Sequence, residues 1–197
     1  MESFVPVVNQ MLAEFHSLLR RSPIPVMSQR LSQLLAINMF AVFHTSLKDT
    51  TFGQNCRSLL QEQAIQVTLA MMSLILECAI NSLKAQTETS RDTIADDLAE
   101  LLPTIKLWTD WMSCQKQLWC PPPPSSDFKI DCREEGDIWT LFATFLTLLT
   151  KINVRTVKLF GSRLEGCEAI ILPEDTALAG FLPLLGSPQC VQFAQPN

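Results

Sequence analysis

The sequence contains no tyrosine, only six glycines and two histidines, and charged residues make up just 18% of it. Each scarcity excludes something. So few glycines argue against turn-dense all-β folds and against glycine-rich phosphate loops. The two histidines, His16 and His44, stand apart. No CxxC pair occurs among the seven cysteines, so no zinc-site spacing is present. The N-terminal stretch MESFVPVVNQML has no basic n-region, which argues against a secretory signal. Reduced, mostly buried thiols in a cytosolic or nuclear protein are the expectation. The charges that are present, 15 basic against 20 acidic, leave a net charge of −5 and no global attraction to nucleic acid. Long hydrophobic runs are missing too. The least charged stretches are Leu31–Leu47, Gln63–Leu76 and Ile138–Thr150. All fall short of the about 20 apolar residues that a spanning helix needs.

What is abundant is apolar side chain. Hydrophobic residues make up 47% of the 197, and the mean hydropathy is +0.18. That is too apolar for a disordered chain, and the length suits one domain with a real core. Either the chain is a membrane-associated helical bundle, or its helices are covered by one another and by something further.

Helical periodicity runs through the first 160 residues. Val8, Met11, Leu12, Phe15, Leu18 and Leu19 predict an amphipathic helix over Val7–Arg21, ended by Ser22-Pro23-Ile24-Pro25. A second helix spans about Met27–Leu47. The third, about Cys56–Gln86, has the narrowest polar stripe. Glu62, Gln66, Ser73, Glu77, Asn81 and Lys84 fall within about 100° of arc, so this helix is expected at the centre of its bundle. A fourth helix is expected from an N-cap at Thr89 or Ser90 to near Trp119, kinked or broken at Pro103. Four prolines from Pro121 and an acidic stretch form a surface linker. A fifth helix begins with Asp137 as N-cap. If it continues to Phe160, Thr140, Thr144, Thr147, Lys151, Arg155 and Lys158 share one narrow face.

The expected architecture is all-α: an antiparallel helical-hairpin bundle of four to five helices with an irregular C-terminal tail. Residues 1–120 form the first part of the bundle and 121–136 the linker. Residues 137–160 are the last long helix of the same domain, and 161–197 are the tail.

Catalytic signatures are absent. No GxSxG, HExxH, P-loop or GxGxxG pattern occurs. The carboxylate pairs Asp96/Asp97, Glu134/Glu135 and Glu174/Asp175 sit on a polar helix face, in the linker and at a short motif, where solvated or capping roles are expected. No enzyme, cofactor or metal site is predicted. Between Ile138 and Leu164 four basic residues, Lys151, Arg155, Lys158 and Arg163, occur without an acidic one. They are the candidate nucleic-acid contacts.

The most distinctive string is Leu172-Pro173-Glu174-Asp175-Thr176-Ala177-Leu178-Ala179-Gly180-Phe181-Leu182-Pro183-Leu184. It reads as a proline-started turn of helix with acidic residues in its first turn. Gly180 ends it, and Phe181 and Leu184 dock on the bundle. It resembles the LPED motif that closes the helical region of the Smg-five/six/seven family, relatives of the telomerase factor named for ever shorter telomeres. Leu31–Phe43, Leu101–Met112 and Asp137–Ile152 also resemble family elements, closest to the Smg-five branch. The resemblance covers about Phe15 to Leu185. Only the helical-hairpin region is matched, with no phosphopeptide-reading domain ahead of it and no nuclease domain after it.

The resemblance implies a non-enzymatic scaffold in nonsense-mediated mRNA decay, linked to dephosphorylation of the Upf helicase. Its implied partners are the Upf helicase, Smg-like paralogues and a protein phosphatase. RNA or telomeric DNA is the alternative ligand, and the implied location is the cytoplasm, with the nucleus second. Within the motif, Leu172, Pro173, Glu174, Asp175, Leu178, Gly180, Phe181, Pro183 and Leu184 are expected to act as a structural clasp. Truncating Phe181 to alanine is expected to cost roughly 3 kcal/mol.

Overall fold

A computed structural model of the chain describes residues 4–46, 57–89, 94–119, 137–152, 159–160, 168–187 and 192–194. Five long helices hold most of them: α1 (Phe4–Leu19), α2 (Ser28–His44), α3 (Leu59–Thr89), α4 (Asp96–Cys114) and α5 (Ile138–Leu149). A short helix, α6 (Pro173–Ala177), and a 3-10 turn at Leu182–Leu184 follow. The linker at 121–136 lies outside the described residues.

Helix α3 is the centre, as its narrow polar stripe predicts. It packs against α1, α2, α4 and α5. Every residue from Ala70 to Leu76 is buried, including Ser73, whose hydroxyl donates to the Leu69 carbonyl at 2.9 Å. By length and composition α3 could cross a membrane. Here four helices cover it, which makes it the core of a bundle. Helix α1 contributes one stripe to that core: Val8, Leu12, Phe15 and Leu19, spaced by three or four residues. Helix α2 contributes Leu31, Leu35, Met39 and Val42.

The helix ends are set by side chains from neighbouring elements. Ser58 is the local start signal of α3. Its hydroxyl accepts from the Gln61 amide at 3.0 Å and donates to the Thr45 carbonyl at 2.8 Å. The Gln61 side chain adds a bond to the Val42 carbonyl. The end of α2 is thereby tied to the start of α3.

Helix α4 starts later than the sequence suggests. Thr89 is the last residue of α3, and the N-cap of α4 is Ala95, whose amide donates to the Gln86 side chain at 3.2 Å. Ser90 and Asp92 lie outside the described residues. Pro103 sits inside one uninterrupted helix.

Two carboxylates of α4 organise the connection between α1 and α2. Asp97 accepts from the Ser22 hydroxyl and from the Ile24 amide, both at 2.8 Å. Glu100 accepts from the amide of Ser28, the first residue of α2. Met27, the N-cap of α2, has no capping side chain of its own. A carboxylate from α4 thus supplies both the acceptor and the negative charge that a helix N-terminus favours.

All four tryptophans gather at the α4–α5 contact. Trp108 stacks on Trp139 and meets Phe142 edge-on, with centroids 6.5 and 5.4 Å away. Trp119 meets both Trp111 and Trp139 edge-on. Such pairs add about 0.5–1.5 kcal/mol each beyond area burial. They fix the rotation of α5, and so decide which way its polar residues face.

The tail is more ordered than expected. Strands β1 (Leu159–Phe160), β2 (Glu168–Ile170) and β3 (Gln192–Ala194) form a small antiparallel sheet with β3 in the middle. The pairing satisfies backbone groups that an irregular tail would leave to water.

The LPED string lies across α4 and α2. Pro173 opens α6, and Gly180 at φ +77° turns the chain after it, a conformation that costs glycine nothing. Asp175 pairs with Lys106, which also pairs with Asp110 at 2.9 Å. Burial lowers the Lys106 pKa, but hydrogen bonds to Asp175 and Asp110 and their charges outweigh it and leave it raised. Pro183 and Leu184 are buried, and Phe181 and Leu178 are half-buried against the core. The Pro183 carbonyl accepts from the Gln115 side chain at 3.3 Å.

Leu184 therefore replaces Phe181 as the residue expected to matter most. Leu184→Ala should lower stability by about 3 kcal/mol and Phe181→Ala by about 1–2 kcal/mol, read from urea midpoints. An unchanged midpoint for Leu184→Ala would remove the clasp role. Asp97→Ala should cost about 1–2 kcal/mol through the lost acceptors. Exposed Asp96→Ala should stay within about 0.5 kcal/mol. Equal effects of the two would contradict the assignment.

Candidate functional site

Two polar stripes of the sequence face each other in the fold. The C-terminal part of the α3 stripe, Glu77, Asn81 and Lys84, forms one wall of a solvent-open cleft. Thr140, Leu141 and Thr144 of α5 form another, and His16 and Arg20 close it from the end of α1. The cleft volume is about 240 Å³.

Local capping places each wall. Asp137 accepts from the Thr140 amide at 2.8 Å and so starts α5 immediately before its cleft residues. The Cys78 thiol donates to the Leu19 carbonyl at 3.2 Å and pins the end of α1 onto α3. Arg20 follows that end, where a cation complements the helix dipole.

The electrostatics are mixed, with cations in excess. Burial, then the charge of Arg20, holds the His16 pKa below its ordinary value, so the ring is neutral at pH 7. Burial pushes the Cys78 thiol up, with Glu77 and Asp97 adding to it and Arg20 opposing. The thiol stays protonated and remains a donor. Arg20 and Lys84 are exposed, and neither forms an ion pair among the described residues. Among the described residues of the lining, Glu77 is the acidic one.

Of the four basic residues singled out in the sequence, Lys151 lies among the described residues. Helix α5 ends at Leu149, and Lys151 is exposed in the turn beyond it. Leu159 and Phe160 pair as a strand with β3 instead of continuing the helix. Arg155, Lys158 and Arg163 lie outside the described residues. Of the nine motif residues, Asp175, Leu178, Phe181, Pro183 and Leu184 make the contacts given above, and Leu172, Pro173 and Gly180 are exposed.

Arg20 and His16 were not singled out from the sequence, although a signal exists. From Phe15 to Lys48 there is no acidic residue, while Arg20, Arg21, Arg30 and Lys48 are all basic. This is a longer acid-free stretch than the one between Ile138 and Leu164.

Comparison with known proteins follows the same lines. Residues 2–188 match a family profile described as the Est1 DNA/RNA binding domain. The chain is 33% identical over 216 aligned residues to a protein from Danio rerio named Telomerase-binding protein EST1A. That alignment covers 96% of this chain and 13% of the relative. The helical bundle, the LPED string with its contacts and the match over 2–188 agree: this chain belongs to the Est1 DNA/RNA-binding-domain family, within the Smg-five/six/seven group of proteins.

Proposed function

We propose that this chain is a non-enzymatic interaction segment of a Smg-like factor in nonsense-mediated mRNA decay, associated with dephosphorylation of the Upf helicase. The observation that carries the reading is the outer side of α2. Leu34, Ile37, Phe40 and Phe43 follow one another at three-residue steps and all are exposed, Ile37 by 64% and Phe40 by 48%. At about 100° per residue they spread over roughly half the circumference, and Ile37 with Phe40 at its centre forms an apolar patch that suits the apolar stripe of a partner helix.

Charge narrows the partner. Helix α2 contains no acidic residue, and Arg30 lies on its exposed side. The occupant is therefore an amphipathic helix with acidic flanks, carried by a decay factor. The Upf helicase, Smg-like paralogues and a protein phosphatase are the partners that the family resemblance supplies. The relative's name adds telomerase as a further one. The mechanism is steric, since a bundle with one core holds its partners at a set distance. The reading carries a cytoplasmic location, with the nucleus as the second compartment. Nucleic-acid binding along a basic α5 face is not carried forward, because α5 stops at Leu149.

The test uses purified partners. Ile37→Asp with Phe40→Asp should weaken binding to the Upf helicase, a Smg-like paralogue or the phosphatase by about tenfold or more. Both residues are solvent-facing, so the urea midpoint should shift by no more than about 0.5 kcal/mol equivalent. Undiminished binding by the double variant overturns the reading. So does wild-type protein that binds none of the three.

A further inference from the structure

The cleft between α1, α3 and α5 is not used by the scaffold role, and its chemistry is specific. It joins two cations, Arg20 and Lys84, to the Asn81 amide and the Thr140 and Thr144 hydroxyls. The Thr144 hydroxyl donates to the Thr140 carbonyl at 2.8 Å, which leaves its oxygen free to accept. Neither cation is neutralised by a carboxylate among the described residues. Exposed cations that converge with amide and hydroxyl groups are a phosphate's natural partners.

We propose that this cleft holds a phosphodiester of single-stranded nucleic acid, with Arg20 and Lys84 on the phosphate and Asn81 on the adjoining sugar or base. The solvent-open cleft, about 240 Å³ in volume, has room for part of one nucleotide. A single strand also fits the charge. The chain carries −5 overall, so attraction has to be local and the contacts few. Glu77, on the same α3 wall as Lys84, restrains affinity. A family described as DNA/RNA binding agrees with this ligand class. The cleft is a different place from the basic segment after α5, and a different surface from the α2 ridge.

The test is fluorescence anisotropy of a labelled oligouridine single strand with the full chain at low salt. Wild type should bind, with a salt slope near −1.4, as expected for about two phosphates on a single strand. Arg20→Glu with Lys84→Glu should lower affinity at least about tenfold. Lys116→Glu, an exposed change on the turn after α4, should alter it less than about twofold. Both cleft positions are exposed, and the far-UV spectrum and urea midpoint of the double variant should match wild type. A DNA strand of the same length reports whether the 2′-hydroxyl matters, and binding of either strand that depends on the two cations upholds the site. The proposal is overturned if wild type binds neither strand, or if the double variant binds as tightly as wild type. It is equally overturned if a phosphoserine peptide is bound in preference to both strands.

Discussion

Seven consecutive buried residues, Ala70 to Leu76, leave the middle of α3 no face for water. A helix in that condition needs neighbours around its whole circumference, and the rest of the chain supplies them. Helices α1, α2, α4 and α5 all pack on it, and α2 and α4 also pack on each other. The low charge and high apolar fraction follow from this arrangement. Surface helices bury one stripe, whereas a central helix buries nearly everything, at about 25 cal/mol for each Å² of apolar surface removed from water.

The same constraint produces the cleft. The polar stripe of α3 is interrupted by burial at Ser73 and re-emerges at Glu77, Asn81 and Lys84. There α1 has just ended and α5 has just begun, so two helix termini flank a polar stretch of a third. The tryptophan contacts orient α5, and Asp137 sets its first turn. The cleft is thus built by the devices that close the core. Across the bundle, Asp97 and Glu100 hold the α1–α2 connection and the LPED string lies over α4 and α2. These contacts keep α2 fixed with its apolar ridge outward. The two proposed interaction surfaces therefore stand on separate sides of one core.

Much of the fold was legible because periodicity is a local property. The five long helices, the centrality of α3, the Asp137 cap and the turn at Gly180 all follow from short-range patterns. What was not legible depends on tertiary contacts. Asp97 reads as a solvated or capping carboxylate of its own helix, and acts instead, together with Glu100, on a connection some 70 residues earlier in the chain. Helix α4 begins at Asp96: Thr89 still belongs to α3, and the Ala95 amide donates to the Gln86 side chain of that preceding helix. In the candidate site, both polar stripes were visible in the sequence, but nothing local says that they face one another. Lys151 drew attention through the charge pattern after Ile138, while Arg20 did not, because its acid-free surroundings are spread over two helices and a turn.

The central claim is that α3, enclosed from Ala70 to Leu76, is the core helix of a single cooperative bundle, on which both proposed surfaces depend. Native-state hydrogen exchange of the amides from Ala70 to Leu76 tests it most directly. If α3 is enclosed as described, these amides exchange only through global unfolding. Their opening free energy then equals the unfolding free energy from urea, and exceeds that of the ends of α1 and α5. Exchange at Ala70–Leu76 through a local opening well below the global value would contradict the account.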